Sequence, residues 1–257
     1  MRIASWNVNS VRSRMEQLTA WLARAAPDVI CMQETKVEDA LFPVQALEEV
    51  GYKCAIFGQK SYNGVCIGAR FGLAIEDVKR GLDSDEPDAQ RRVIAATIEG
   101  VRIVNVYVPN GEALDSPKYP FKLDWLSRFH AEIATHYKPE QELMICGDFN
   151  VALETVDIAE PKRWEGQVLC TEAERAGVRK LLDWGLVDAF RQHHPEPGLY
   201  SWWDYRMAAF AKNKGLRIDL ALLTKALAAR CADVTIDKRP RELNRPSDHA
   251  PVVVEVK

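Results

Sequence analysis

Short apolar runs alternate with amphipathic stretches along the whole chain, and this alternation favours an α/β fold. The apolar runs are rich in β-branched residues and have the length of strands that are buried or half-buried in a sheet. The predicted strands are Arg2–Trp6, Asp28–Met32, Lys53–Phe57, Gly64–Gly68, Val93–Ile98, Val101–Val108, Leu143–Cys146, Leu216–Leu222, Ala232–Ile236 and Val252–Val256.

Three of the amphipathic stretches predict helices. Apolar residues recur at helical spacing over Val11–Ala25 and again over Phe121–Tyr137. A third helix opens with the capping-box pattern of Thr171 and Glu174, in which each side chain can bond the other's backbone N–H. This helix is expected to end at Gly185, because glycine accepts the backbone conformation that terminates helices.

Composition excludes several classes of protein. No Gly/Pro-rich linker divides the 257 residues, so we predict a single domain over residues 1–257. The hydrophobic share of 47% and the charged share of 28% are typical of globular proteins and exclude a disordered chain or a coiled-coil rod. No apolar segment approaches the ~18 residues of a membrane span, and the first residues lack the apolar region of a signal peptide. We therefore expect a cytoplasmic protein without membrane contact.

Charge and cysteine content narrow the choice further. The formal net charge is −3, from 34 Lys and Arg against 37 Asp and Glu, which excludes a strongly basic protein that coats nucleic acid. A nucleic-acid enzyme stays possible, because the local field at a cleft matters more than the sum of the charges. The six cysteines form no CxxC pair and four lie within apolar runs, so we predict free thiols in a reducing compartment.

Polar side chains stand at the ends of several predicted strands. The first strand runs into Asn7 and Asn9, the second runs into Glu34, and Leu143–Cys146 runs into Asp148 and Asn150. Residues two apart on an extended chain face the same side, so a pair such as Asp148 and Asn150 presents both polar groups to one place. An Asx turn is the alternative for the paired residues, and a simple solvated charge is the alternative for Glu34.

Further polar groups accompany the later strands. Tyr107 ends a strand, where a phenol either binds phosphate or packs against an edge. Arg217 and Asp219 share one face of a predicted strand, a pattern that also suits an ordinary ion pair. Asp248 and His249 precede the last strand, and an imidazole oriented by a carboxylate can act as an acid, a base or a phosphate donor.

If the carboxylates at these strand ends converge, they require a cation. Two unit charges ~4 Å apart repel by about 4 kcal/mol at an effective dielectric constant of ~20. No Cys/His cluster with zinc spacing is present. Oxygen ligands on a few carboxylates suit Mg²⁺, with Mn²⁺ as a substitute, and these ions also bind substrate phosphate. The pattern therefore predicts chemistry on a phosphate ester.

The chain closely resembles the exonuclease III family of abasic-site DNA endonucleases, within the endonuclease/exonuclease/phosphatase superfamily that includes DNase I. The matching segments run in the family's order from residue 3 to residue 253. QETK, GDFN and SDHAP are specific to the superfamily, and GLRIDL and SWWDYR are typical of the exonuclease III branch. The other matching segments are IASWNVNSVRSR, FGQKSYNGV, QRRVI, VNVYVPNGE and LVDAFR.

This resemblance implies both a fold and an activity. The implied fold is a four-layered α/β sandwich of two packed mixed β-sheets flanked by helices. The implied activity is Mg²⁺-dependent cleavage of duplex DNA 5′ to abasic sites, together with removal of 3′-blocking groups or nucleotides. The partner is then double-stranded DNA with abasic sites or 3′ ends, and we expect a monomer with no obligate protein partner. The alternatives are a catalytically inert RNA- or DNA-binding regulator of the same fold, and a phosphodiesterase that acts on phospholipid headgroups.

The resemblance also implies roles for the residues at the predicted metal site. Glu34 resembles the family's principal metal carboxylate, with Asn7 and Asp248 near the ion. Asp148 matches the group that positions or deprotonates the attacking water. The family accounts leave open which group is the formal base and whether one or two metals act.

Other matches lie on the side of the substrate. Asn150 and Tyr107 match partners of phosphate oxygens, and His249 paired with Asp219 matches the imidazole that holds the scissile phosphate. Trp202 matches a wall of the pocket for an extruded abasic sugar, and of the adjacent Trp202 and Trp203 one is expected in the core. The expected substrate contacts are Trp202, Leu216, Arg91, Lys36, Asn110 and Arg217.

Two segments depart from the family pattern. Ser10 stands where many relatives have glycine, so the loop beneath the metal is expected to differ from theirs. The loop Ala152–Cys170 matches least, and it is expected to lie over the DNA and to set the balance among the family's activities.

Overall fold

A computed structural model describes the complete chain, residues 1–257. The polypeptide forms an ordered series of strands that includes all the predicted ones and two more. The strands are β1 (Arg2–Asn7), β2 (Val29–Gln33), β3 (Tyr52–Phe57), β4 (Val65–Arg70), β5 (Glu76–Arg80), β6 (Val93–Ile98), β7 (Val101–Tyr107), β8 (Leu143–Asp148), β9 (Leu186–Asp188), β10 (Asp219–Thr224), β11 (Cys231–Ile236) and β12 (Val252–Val256).

The strands assemble into two mixed six-stranded sheets. Their orders are β11-β12-β1-β2-β4-β3 and β5-β6-β7-β8-β10-β9. Each sheet contains one parallel pair, β1 with β2 and β7 with β8, whereas the other neighbours are antiparallel. Parallel strands end at the same edge of a sheet, so each sheet brings two strand ends and the residues that follow them together.

The helices cover the outer faces of the two sheets. Leu18 and Leu22 of the first helix share an apolar cluster with the first sheet, and Phe129 and Leu181 belong to the cluster on the second sheet. The resulting order of layers, helix, sheet, sheet and helix, confirms the predicted four-layered sandwich. The α-helices are α1 (Met15–Ala25), α2 (Val44–Glu48), α3 (Lys118–His136), α4 (Pro161–Trp164), α5 (Glu172–Trp184), α6 (Ala189–His193) and α7 (Lys225–Ala228).

The space between the sheets is apolar except where it approaches the shared strand ends. Gln33 of β2 and Asn105 of β7 face each other there, and the Gln33 Nε2 donates to the Asn105 Oδ1 over 2.7 Å. Asn105 in turn donates to the carbonyls of Met32 and Cys66, each over 2.9 Å. Buried amides are stable only when hydrogen-bonded, so this bridge fixes one relative position of the two sheets.

Helix α5 has the ends that the sequence predicts. Both reciprocal bonds of the capping box between Thr171 and Glu174 are present, and Gly185 caps the C-terminus. Helix α1 starts later than predicted, at Met15, because Arg12–Arg14 form a separate 3₁₀ turn. None of the helices has the length and the apolar character that crossing a bilayer requires.

Several boundaries differ from the predictions for physical reasons. The predicted strand Leu216–Leu222 begins at Asp219, because the chain before it belongs to a loop that makes only isolated bridges. Strand β5 escapes prediction because it is a polar edge strand with a register shift, and β9 because it has only three residues. All six cysteines are unpaired, as predicted.

Candidate active site

The side chain of Asn7 joins the two sheets at the centre of the site. Asn7 ends β1 and is fully buried, and its Nδ2 donates to the Glu34 Oε1 over 2.8 Å and to the Asp148 Oδ2 over 2.9 Å. Glu34 follows β2 in the first sheet, and Asp148 ends β8 in the second. One amide group therefore holds a carboxylate from each sheet.

The backbone at the end of β8 is shaped to deliver Asp148. Gly147 has a φ of +144°, and a Cβ at this position would lie 1.9 Å from the Val106 carbonyl oxygen, so only glycine fits. The Asp148 Oδ1 accepts from the backbone N–H of Asn150 over 2.9 Å. The Asn150 side-chain amide donates to the Asp148 Oδ2 over 3.2 Å, so the predicted Asx turn and the predicted polar cluster are both present.

His249 approaches the same carboxylate from the opposite side. Its Nδ1 lies 2.9 Å from the Asp219 Oδ2, and its Nε2 lies 3.6 Å from the Asp148 Oδ2. Asp219 and Asp148 are directly paired in the register of β10 and β8. The Ser201 hydroxyl accepts from the backbone N–H of Asp219 over 3.1 Å, which anchors the start of β10.

Burial and neighbouring charges raise the pKa values of Asp148 and His249 by different amounts. Burial raises the pKa of Asp148 to about 7, and the charges of Asp219 and Glu34 add to this rise against the opposing effect of His249. Burial by itself lowers the pKa of His249, but the charges of Asp219 and Asp148 outweigh it and raise that pKa to about 10. Near neutral pH the imidazole is therefore protonated, while Asp148 is poised to take up or release a proton.

A chain of hydrogen bonds extends from Glu34 to Asp248. The Lys36 Nζ lies 2.7 Å from the Glu34 Oε2 and donates to the Asn9 Oδ1 over 2.6 Å. Asn9 donates to the Asp248 Oδ1, and the Trp202 Nε1 donates to the Asp248 Oδ2, each over 2.9 Å. Both oxygens of Asp248 thus already have donors within the protein.

Tyr107 lies at the end of β7 beside Asp148, and the Arg92 side chain stacks on its ring. The Arg92 guanidinium stacks 4.6 Å from the ring centroid and donates to the Tyr107 carbonyl over 3.0 Å. Burial, reinforced by the charge of Glu34, raises the pKa of Tyr107 well above its ordinary value. The phenol therefore keeps its proton and is available as a hydrogen-bond donor.

The donor set fits a hard divalent cation. Carboxylate oxygens of Glu34 and Asp148 lie within 4.8 Å of each other and of a ring nitrogen of His249. The two carboxylates offer the ligand atoms, because a protonated imidazole has no lone pair for a metal. Burial is the largest cause of the raised pKa of Asp148, and the negative charges of Asp219 and Glu34 add to it. A cation with a preference for oxygen ligands would relieve this charge.

The sequence matches the Endonuclease/Exonuclease/phosphatase family over residues 4–249. It is 36% identical to exodeoxyribonuclease III of Haemophilus influenzae, with 100% of each chain covered. An AP endonuclease structure from Archaeoglobus fulgidus has 40% identity and a TM-score of 0.96, covering 100% of this chain and 99% of its own. A Neisseria 3′ phosphatase bound to a product DNA hairpin has 44% identity and a TM-score of 0.95, with the same coverage.

This chain belongs to the exonuclease III branch of the Endonuclease/Exonuclease/phosphatase family. It is an exonuclease III-like DNA repair nuclease, that is, a phosphodiesterase. The family uses a divalent metal, and Glu34, Asp148 and His249 form the candidate site for it here. The predicted resemblance is thereby confirmed.

The exonuclease III fold places the two neighbouring tryptophans differently, as expected. Trp203 is fully buried, whereas Trp202 is half-buried and lies edge-on to Trp164, with 6.2 Å between the ring centroids. Leu216 was expected to line the sugar pocket, but its side chain has no exposed surface because it packs beneath Trp202 in a cluster with Ile158. Leu216 packs against Trp202 and has no surface with which to line a pocket.

The other predicted substrate contacts lie in different settings. Asn110 is exposed, and its Nδ2 donates to the Asn150 Oδ1 over 2.9 Å, so it stands directly beside the site. Lys36 has the site carboxylate of Glu34 as its ionic partner. Arg91 is part-exposed and donates to the Gly58 carbonyl over 2.6 Å, which leaves part of its guanidinium free.

The prediction for Arg217 is wrong. Its side chain is fully buried and cannot contact a DNA backbone, nor does it pair with Asp219. The guanidinium instead donates to both oxygens of Asp157, over 2.7 and 2.9 Å, and to both oxygens of Asp188, over 3.2 and 2.6 Å. Arg217 precedes β10 in the loop, and there it faces the loop segment that carries Asp157.

Sequence reasoning found Asn9 through its spacing of two residues from Asn7, but not its bond to Asp248. It missed the roles of two other residues that shape the site. Arg92 falls in the QRRVI segment, but nothing in the sequence distinguishes its stacking on Tyr107. Ser201 carries no sequence signal, because its role depends on a backbone contact made in three dimensions.

We expect Asp219→Asn to lower the pKa of His249 from about 10 towards its ordinary value of 6.5, because the strongest neighbouring negative charge is lost. In the wild type, the raised pKa stabilises the fold fully below pH 6.5 and this contribution is lost as the pH rises through about 10. The variant should lose most of that pH dependence. Titration of the imidazole by ¹⁵N NMR measures the change, with the remote His193 as an internal control. An unchanged His249 titration would contradict the assigned pairing.

We expect Arg217→Met to destabilise the fold by about 3 kcal/mol, because it leaves two buried carboxylates without their common cation. The matched control is Arg163→Met, whose side chain is 60% exposed and whose loss should cost under about 0.5 kcal/mol. Urea unfolding followed by circular dichroism measures both free energies. Equal losses in the two variants would show that the buried network contributes no more than a surface ion pair.

Proposed function

We propose that this enzyme is a Mg²⁺-dependent phosphodiesterase that cleaves duplex DNA 5′ to abasic sites and removes 3′-blocking groups or nucleotides. The observation that carries the proposal is the meeting of Glu34, Asp148 and the His249–Asp219 pair around the Asn7 amide. An ionised carboxylate, a carboxylate titrating near neutrality and a protonated imidazole are the groups that hydrolysis of a phosphodiester needs.

In the proposed reaction Asp148 accepts a proton from the attacking water. Its raised pKa of about 7 makes it a stronger base than an ordinary aspartate while leaving it largely ionised above neutrality. Asn7 and Asn150 donate to its carboxylate and hold its orientation. The water oxygen bonds to phosphorus and the P–O3′ bond breaks, with its electron pair leaving on O3′. The O3′ takes a proton from bulk water and Asp148 returns its proton to solvent, so the products carry a 3′-hydroxyl and a 5′-phosphate.

Protonated and neutral donors around Asp148 hold the phosphate. His249, kept protonated by Asp219, offers its Nε2 proton on the side of Asp148. The Tyr107 phenol keeps its proton and is a second donor. These donors are preorganised by the fold, so stabilising the developing charge costs no rearrangement.

Glu34 is the proposed principal ligand of Mg²⁺, with Asn7 and Asp248 near it. When bound, Mg²⁺ supplies positive charge against the phosphate oxygens, and Mn²⁺ has the same ligand preferences. Asp248 acts mainly through its bonds to Asn9 and Trp202, because both of its oxygens already accept hydrogen bonds from these residues.

Two cavities beside the site support duplex DNA as the substrate. A cavity of about 340 Å³ is walled by Trp164 and Trp202 and edged by basic side chains. A second cavity of about 620 Å³ is lined by Tyr107, Asn110 and other residues. Cations suit the DNA backbone, whereas an aromatic wall suits a sugar that lacks its base. The basic side chains are Arg163, Arg206, Lys212 and Lys214 around the first cavity and Arg92 and Lys118 around the second.

We expect the wild-type enzyme to cut a duplex oligonucleotide containing one abasic analogue when Mg²⁺ is present, and to be inactive in EDTA. Asp148→Asn and His249→Ala should each lower kcat by about 10²–10⁴-fold, since each removes a group that acts in proton transfer or charge stabilisation. DNA affinity should change little. Gel separation of the products and fluorescence anisotropy measure the two effects.

The matched control for these variants is Asp83→Asn, an exposed carboxylate that should leave kcat unchanged. A recessed duplex and a 3′-phosphorylated duplex separate the activities. Release of nucleotides or phosphate without abasic incision would restrict the enzyme to 3′ ends. Near-wild-type turnover by either active-site variant would refute the proposed roles.

We expect the affinity for Mg²⁺ to fall as the pH falls from 8 to 6. The pKa of Asp148 is about 7 without metal, and a nearby cation favours its ionised form, so protons and Mg²⁺ compete. The decrease should approach about tenfold per pH unit below 7. Isothermal titration with MgCl₂ at several pH values measures it, and Asp148→Asn should flatten the dependence. A slope in the variant equal to that of the wild type would assign the proton to another group.

A further inference from the structure

A fully buried lysine lies beneath the loops that carry the site amides. Lys122 is in α3, and neither its side chain nor that of Glu174 in α5 has any exposed surface. The two side chains form an ion pair in the interior. Removing both charges from water is costly, so such a pair requires a reason beyond stability.

The three protons of the Lys122 ammonium have three acceptors. They are the carboxylate of Glu174, the backbone carbonyl of Asn150 at 2.7 Å and the backbone carbonyl of Asn110 at 3.1 Å. Asn110 follows β7 and Asn150 follows β8. One cation therefore holds the two loops that leave the parallel strands of the second sheet.

The same two loops are joined a second time through their side chains. The Asn110 Nδ2 donates to the Asn150 Oδ1, and the Asn150 Nδ2 donates to the carbonyl of Val108 over 3.0 Å and to Asp148. The amide of Asn150 thus has one orientation, which depends on where its backbone is held. Asn150 has a φ of +50°, a left-handed conformation that asparagine adopts more readily than other non-glycine residues.

Glu174 connects this arrangement to the loop of residues 152–170. Its Oε1 accepts from the backbone N–H of Leu169 over 3.0 Å, and its Oε2 accepts from the N–H and hydroxyl of Thr171 over 2.9 and 2.7 Å. Every polar atom of the pair is satisfied, so the network has a single arrangement.

We propose that Lys122 is a positioning residue, which fixes the backbone of Asn150 and Asn110 and so aims the Asn150 amide at Asp148 and the scissile phosphate. This inference rests on the proposed function, in which Asn150 acts beside Asp148. Hydrophobic side chains could fill the same space, but they have no donor for the two loop carbonyls.

The decisive variant is Lys122→Met combined with Glu174→Leu, which replaces both charges by apolar side chains of similar size. Its urea-unfolding midpoint should fall, because the two loop carbonyls and the N–H groups of Leu169 and Thr171 lose their partners, so its kcat is measured below the unfolding transition, where the variant is folded. Its kcat should fall by about 10–100-fold, while KM for the cleaved duplex changes by less than about 3-fold. The control is Lys79→Met with Glu132→Leu, an ion pair that joins β5 of the second sheet to α3, which should leave kcat unchanged.

A mutant cycle separates positioning from a general loss of structure. If Lys122 acts through Asn150, Lys122→Met should lower kcat by less than about 3-fold in an Asn150→Ala background. Equal losses in the two backgrounds, or a wild-type kcat in the doubly apolar variant, would overturn the proposal.

One further variant decides the question even if the doubly apolar protein does not fold. Glu174→Gln keeps the lysine amine and its bonds to both carbonyls, so it should lose stability but retain kcat within about 3-fold. A loss as large as that of Lys122→Met would assign the effect to packing alone and refute the positioning role. Absence of wild-type cleavage would instead refute the proposed function, which distinguishes the two failures.

Discussion

The whole site depends on one amide group that two acids share. Asn7 donates from the end of β1 to Glu34 in its own sheet and to Asp148 in the other sheet. Without this bridge, the two carboxylates would face each other at close range across the junction of the sheets, with only repulsion between them. The neighbouring Gln33–Asn105 contact holds the sheets at the same spacing one residue deeper. The sandwich is therefore pinned by polar contacts at the place where its function requires two acids to meet.

The two aspartates beside His249 have different tasks. Asp219 pairs with the His249 Nδ1 and its charge keeps the imidazole protonated, whereas burial raises the pKa of Asp148 to about 7 against the opposing charge of His249. Pairs of titrating groups whose environments push their pKa values apart are the mark of acid–base work. Asp219 and Asp148 face each other in the register of β10 and β8. The backbone hydrogen bonds between β10 and β8 thus set the distance between the two aspartates.

Much of this could be predicted from the sequence, and the failures have a common cause. The buried strands and the capping box of α5 were predicted correctly, because they depend on sequence periodicity and on local hydrogen bonding. The polar groups at strand ends were also found, because parallel strands end at one edge. Arg217 and Leu216 were assigned to the substrate from the resemblance and its motifs, which do not show that both side chains are fully buried. Their partners, among them Asp157, are distant in sequence, and no local pattern encodes a contact that only the tertiary fold creates.

The buried networks around Lys122 and around Arg217 follow from the same constraint on loops. A strand end that presents side chains to a substrate must leave the hydrogen-bond ladder, and its carbonyls then need donors from elsewhere. Apolar packing cannot supply them, and water beneath the site would loosen the loop. Lys122 supplies donors to two such carbonyls. Arg217 supplies them to the Asp157 carboxylate, in the loop beside the aromatic wall, and to Asp188 at the end of β9. Burying a charge in an apolar core is costly. Beneath a catalytic loop, however, a buried cation on a helix can donate to the carbonyls of an irregular backbone and hold it in one conformation.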